Sequence, residues 1–216
     1  IAQFISIVLH PLLMMTYMLV LLMLINPYLF GVHKVSSNVP FILYIFFSTF
    51  LLPAFAAFLM KQLDFIKSIH MEDKMERIGP YIITGTIYLW MFRSFLDNPQ
   101  IPSAYTMFIL GSTIGLFIAF FINIFSKISA HAVGMGGLLG MVVISLYQFS
   151  YGDFIVNLSS LGVYKWTMNG VLMTTIVLAG LVGTSRLLLN AHEPKDLYGG
   201  YLVGFAAQFV ALWFMG

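Results

Sequence analysis

Seven stretches of this chain are so apolar, and so long, that they leave it few ways to fold. They run over about 1–30, 40–60, 80–96, 103–125, 132–151, 166–189 and 197–215. A helix needs about 20 such residues to cross the hydrocarbon of a bilayer. In lipid a spanning segment must also satisfy its own backbone, which leaves helices and closed barrels. A barrel would show short alternating segments, and the sequence shows none. Only 8% of the 216 residues are charged, against roughly a quarter in soluble domains. The chain therefore reads as all-α, a polytopic transmembrane helical bundle of about six to seven spans, with 1–216 forming a single integral membrane domain. The first apolar run is too long for a signal-peptide core. Pro11 lies inside it and is expected to kink it.

Two exclusions follow from composition. With no cysteine, disulfides, zinc–thiolate sites and cysteine nucleophiles are ruled out. A net charge of +2 with no basic run gives no reason to expect nucleic acid as a partner.

Glycines recur four apart at Gly136 and Gly140, and at Gly200 and Gly204. Small residues at that spacing let helices approach closely in lipid. The alternative is that Gly134, Gly136 and Gly137 leave room for a ligand.

The connections between spans alternate between two sides. One side holds the amino terminus and 61–79, 126–131 and 190–196; the other holds 31–39, 97–102 and 152–165. Lys61, Lys67, Lys74, Arg77, Lys127, Arg186 and Lys195 fall on the first side. Lys34, Arg93 and Lys165 fall on the second. His70, His131 and His192 also lie on the first side. Positive loops by themselves mark a cytoplasmic face, but that rule explains neither the histidines nor Asp196 four residues after His192. Glu72, Asp73 and Glu76 read as solvated loop charges or ion-pair partners of Lys74 and Arg77. Arg93 either snorkels or pairs with Asp97.

These residue types fit one chemistry. A phosphate ester needs guanidinium forks and ammonium groups to hold its oxygens, and a helix start adds free N–H groups. Cleaving it needs a nucleophile and a proton donor, roles two histidines can share. An aspartate can hold the attacking imidazole in one tautomer. Read singly, His192 is a histidine at a helix end, His131 a helix-start residue and Asp196 a cap after Pro194.

The spacing Ser185-Arg186, five residues, His192, three residues, Asp196 resembles the third signature motif of the type-2 phosphatidic acid phosphatase superfamily, the membrane lipid phosphate phosphatases. "KISAHAVG" is similar to its Pro-Ser-Gly-His motif at Ser129 and His131, with Ile128 and Ala130 departing. "EDKMERIGP" offers Lys74, Arg77 and Pro80 for the first motif, at compressed spacing. An alternative keeps the family's spacing with Lys67 and Lys74. Two spans separate each pair of motifs, so all three fall on one side. The resemblance covers about 67–204.

The resemblance implies an integral membrane hydrolase acting on a lipid phosphate. His192 would attack phosphorus and form a phosphohistidine, held by Asp196, and His131 would protonate the leaving alkoxide. Arg186, Ser185, Ser129, the Ala130 amide, Lys74 and Arg77 would cradle the phosphoryl oxygens. No metal or other cofactor is implied. The substrate would be an isoprenoid, glycerolipid or lipid A phosphate in the bilayer. The resemblance further implies a bacterial inner membrane, with the site facing the periplasm. A weakly active or inactive relative that binds lipid phosphate as sensor, carrier or scaffold is the alternative. A transporter would carry charge at mid-span and broken helices, which this hydropathy pattern does not show.

Overall fold

A computed structural model of the chain describes residues 1–32, 35–68, 71, 73–157 and 162–216. Lys34, His70 and Glu72 lie outside the described residues. The fold is an all-α bundle of nine described helices with one small hairpin. Among the described residues six stretches are long and apolar enough to cross a membrane: Ala2–Ile25, Pro27–Gln62, Ser103–Phe125, Ala130–Gln148, Met168–Leu188 and Pro194–Met215. The chain is an integral membrane protein on this count. A further helix of 19 residues, Ile78–Leu96, fills the place of the short third segment.

The first span is two helices, not one kinked helix. α1 (Ala2–Val8) ends at Leu9, and α2 (Met14–Ile25) begins after a 3-10 turn at Pro11–Leu13. His10 between them is extended, with φ −67° and ψ 138°. Proline disfavours helical backbone at the residue before it, so Pro11 turns the chain at His10. α2 is apolar on most of its surface and enters the main core. Its Met15, Met18, Leu19, Leu22 and Met23 are buried with Tyr105 and Phe108 of α6 (Ser103–Phe125).

The second span is also interrupted. α3 (Val39–Phe46) and α4 (Leu52–Gln62) are joined by a π-turn at Phe47–Leu51. Pro53 has no N–H for the carbonyl four residues back and its ring crowds it. The widened turn accommodates both. α5 (Ile78–Leu96) takes Pro80 in its first turn, where no N–H is missed. Near its end Arg93 pairs with Asp97, so the pairing expectation holds there.

α7 (Ala130–Gln148) and α9 (Pro194–Met215) pack more extensively than any other helix pair among the described residues. Their glycines interlock. A Cβ on Gly200 would stand 2.7 Å from the Ala132 Cβ and 2.9 Å from the Ser129 oxygen, and one on Gly140 would stand 2.9 Å from the Phe205 oxygen. On Gly204 it would fall on the Val133 carbonyl oxygen, and on Gly136 on that of Tyr201. Space over Gly134 is taken by Pro11, and over Gly137 by Gln208. The glycines serve packing, and Gly136 also lines an apolar groove of about 360 Å³ with Leu139, Ile176, Gly180, Tyr201 and Phe205.

Fully buried Gln208 of α9 reaches α6, its Nε2 donating to Ser112 Oγ at 3.5 Å and its amide filling the space over Gly111. α8 (Met168–Leu188) completes the bundle. Before it, β1 (Asp153–Asn157) and β2 (Val163–Thr167) pair antiparallel, with Asp153 opposite Thr167 and a Lys165–Asp153 ion pair at 2.7 Å. The sequence had suggested only a loop there.

Candidate active site

α8 stops where its last turn is closed by Asn190 in the left-handed region, φ 50°, a conformation asparagine tolerates. The Leu189, Asn190 and Ala191 amides donate back to Ser185, Leu187 and Arg186 carbonyls. His192 follows, and α9 starts at once. Glu193 caps it, Pro194 opens it, and Asp196 returns the cap: the Glu193 amide donates to Asp196 Oδ2 at 3.2 Å. This reciprocal box fixes the Asp196 carboxylate.

The same oxygen, Oδ2, accepts from His192 Nδ1 at 3.3 Å. Asp196 is therefore cap and orienter together. With Nδ1–H committed to a carboxylate, the neutral ring keeps its lone pair on Nε2, the nitrogen a nucleophile needs. The His192 side chain is only 3% exposed. Burial above all, and then the Arg77 charge, push its imidazole down to about 4, against the pull of the Asp196 hydrogen bond. It is neutral at pH 7. Because the folded value lies below the ordinary 6.5, the neutral ring contributes stability that is complete above about pH 6.5 and is lost as pH falls toward 4. An NMR titration of His192 in detergent is expected to give a midpoint near 4. A midpoint at or above 6.5 would contradict this account.

The arginines gather at this pair. Arg186, in the last turn of α8, is half-buried. Its Nε is sealed from solvent with no partner, and the side chain makes no ion pair or hydrogen bond among the described residues. Arg77 is anchored by Nε donating to the Met71 carbonyl at 2.9 Å. It lies near enough to act electrostatically on both Arg186 and His192. Arg186 in turn acts on His192, His131 and His10.

His131 sits in the first turn of α7. Its Nε2 bonds the Ser6 carbonyl of α1 at 3.0 Å, so the neutral ring donates there and leaves Nδ1 open. The α7 start is joined to α9 through Ser129. Its amide donates to the Asp196 carbonyl at 3.2 Å, while its hydroxyl accepts from the Ala132 amide at 3.4 Å. Ala130, first residue of α7, has an amide without a helical partner.

Asp196 thus holds His192 and is joined to Ser129, while Arg77 and Arg186 lie within electrostatic range of His192, and Arg186 and His192 within range of His131. Lys74 is committed elsewhere. That ammonium donates to the Ile124 and Phe125 carbonyls at 3.0 and 3.3 Å, and Asn123 Nδ2 donates to the Lys74 carbonyl at 2.8 Å. Lys74 closes the end of α6, where a cation suits the exposed carbonyls. Ser185 also turns inward, donating to the Leu181 carbonyl at 2.7 Å. A cleft of about 310 Å³ opens against the pair, lined by Ser126, Lys127, Ala191, His192, Lys195 and Asp196. His131 and Arg186 do not line it.

One member of the cluster carried no motif. The His10 ring stands edge-on to His131 with centroids 5.3 Å apart. Its signal in the sequence was a lone histidine inside an apolar run, directly before a proline. Among the described residues no group of three His, Cys, Asp or Glu side chains stands close enough to hold a metal ion. No known protein family, curated protein or solved structure matches the chain.

Proposed function

We propose that this chain is a membrane lipid phosphate phosphatase, hydrolysing a lipid phosphomonoester or pyrophosphate through a phosphohistidine on His192. The observation that carries the reading is Arg186: a half-buried arginine with no ion-pair or hydrogen-bond partner among the described residues, within electrostatic range of a second arginine and three histidines. Leaving a charged group desolvated and unpaired is costly, and a bound phosphate dianion removes that cost.

In this reading His192 Nε2 attacks phosphorus as the bond to the lipid oxygen breaks. His131, protonated at Nδ1 and held at Nε2 by Ser6, gives its proton to that oxygen. Asp196 stabilises the charge that His192 gains. Arg186, Arg77 and the Ala130 amide hold the equatorial oxygens, where transition-state charge spreads. Water, deprotonated by His131, then cleaves the P–N bond and releases inorganic phosphate. In this reading, as the resemblance implies, the protein lies in a bacterial inner membrane with this end toward the periplasm.

Binding without hydrolysis is the second reading. The 3% exposure of the His192 side chain and the commitment of Lys74 to α6 favour it. Purified protein in micelles with phosphatidic acid or an isoprenyl pyrophosphate, in a chelator, separates the two. Release of inorganic phosphate is expected, and Arg186→Ala should lower kcat/KM by roughly 10²–10³-fold. Binding of these lipids with no release from any of them would move the assignment to the second reading.

A further inference from the structure

Phosphohistidine chemistry uses two histidines, yet three stand in the cluster. Each has one ring nitrogen fixed by the chain. His192 is fixed at Nδ1 by Asp196, His131 at Nε2 by the Ser6 carbonyl, and His10 at Nδ1 by the Leu12 amide at 3.3 Å. The third differs in kind. An amide N–H can only donate, so Nδ1 of His10 is an acceptor and the ring proton sits on Nε2. Protonating Nδ1 would uncap the 3-10 turn at Pro11–Leu13. The ring is held as a neutral imidazole with one N–H to give.

Nε2 of His10 has no partner among the described residues, and it is not one of the polar atoms sealed from solvent. The ring is held from two sides, by His131 and by Phe50 at 6.2 Å, both edge-on. Phe50 belongs to the π-turn of the second span and His10 to the break in the first, so the two interruptions meet at this ring. Such turns often mark functional sites. The unpaired Arg186 lies within electrostatic reach.

We propose that His10 is a third histidine of the anion site, its Nε2–H donating a hydrogen bond to a phosphoryl oxygen of the headgroup held by Arg186. This rests on the phosphate reading of the site, but not on hydrolysis. A neutral imidazole can stabilise an oxyanion without exchanging a proton. It would therefore grip phosphate without competing with His131 for the proton sent to the leaving oxygen. The first span, outside the stretch covered by the resemblance, becomes part of the site.

Orthovanadate binding to the purified protein, read by ⁵¹V NMR in detergent, tests this without turnover. His10→Ala is expected to weaken binding at least tenfold, consistent with loss of one hydrogen bond to a charged group. His10→Gln places an amide N–H near the lost Nε2–H and should stay within about threefold of wild type. Both melting temperatures are measured alongside. Equal vanadate affinity in all three proteins overturns the inference and leaves the phosphatase reading intact. Equal weakening in both variants, tracking a fall in melting temperature, reduces His10 to a packing residue and also overturns it. His10-dependent vanadate binding in a protein that hydrolyses no lipid phosphate sinks the phosphatase reading and keeps the inference. No vanadate binding by wild type overturns both.

Discussion

Replacing His192 with alanine is expected to stop phosphate release altogether, a loss of at least about 10⁴-fold, while the protein still folds. Removing a nucleophile leaves no partial route, because the remaining groups act only on an intermediate that no longer forms. The fold should survive because Asp196 is not orphaned: its Oδ2 keeps the Glu193 amide, and the cap of α9 stands. The check is twofold. Lipid carrying ³²P-phosphate should leave an acid-labile, base-stable label on wild type and none on His192→Ala, with melting temperatures a few degrees apart. Equal turnover by both proteins would remove His192 from the chemistry and the phosphatase reading with it.

The largest structural effect should come from one methyl group. Gly204→Ala puts a Cβ onto the Val133 carbonyl oxygen, with the Gly137 amide nitrogen 2.7 Å away. Both obstacles are backbone, so no side chain can swing aside. Overpacking costs about 1–3 kcal/mol where side chains can yield, and more is expected here. In lipid the loss is harder to recover, since helices have no hydrophobic drive to associate and depend on close contact. Gly199→Ala is the control, because a Cβ there meets nothing within 4 Å. Melting in detergent is expected to fall by at least about 6–12 °C for Gly204→Ala, at about 2–4 °C per kcal/mol for a chain of this size. It should hardly move for Gly199→Ala. Activity should fall with Gly204→Ala too, because α7 carries His131 and α9 carries Asp196. If both variants melt together, the tight α7–α9 seam is not what holds the bundle.

Much of this fold was legible because apolar length is a property of the sequence alone. The helix Ser103–Phe125 has the bounds that its hydropathy gave. What escaped were features set by neighbours. Pro11 announced a kink in the first run, but averaging over a window hides that the chain leaves the helix altogether at His10, since both sides are equally apolar. A π-turn changes no composition at all. The hairpin Asp153–Thr167 has only five residues on each strand, too few to stand out beside 20-residue spans. The local arrangement of Arg186, His192 and Asp196 was legible because one turn places them, and spacing encodes a local turn. Lys74 was misplaced by the same reasoning: its position is decided by the end of α6, some 50 residues away in sequence. His10 joins the cluster through α7, more than 100 residues on.

Gln208 has a consequence for how the bundle is made. α9 is the least apolar of the six candidate spans, and it carries a fully buried amide and several glycines. Alone in lipid, that amide would face hydrocarbon with nothing to bond, at a cost of several kcal/mol. Its partners, Ser112 on α6 and the glycine faces of α7, precede it in the chain. They are already in the membrane when α9 leaves the ribosome. Entry of α9 and docking of α9 thus become one event, and that event is what brings Asp196 to Ser129.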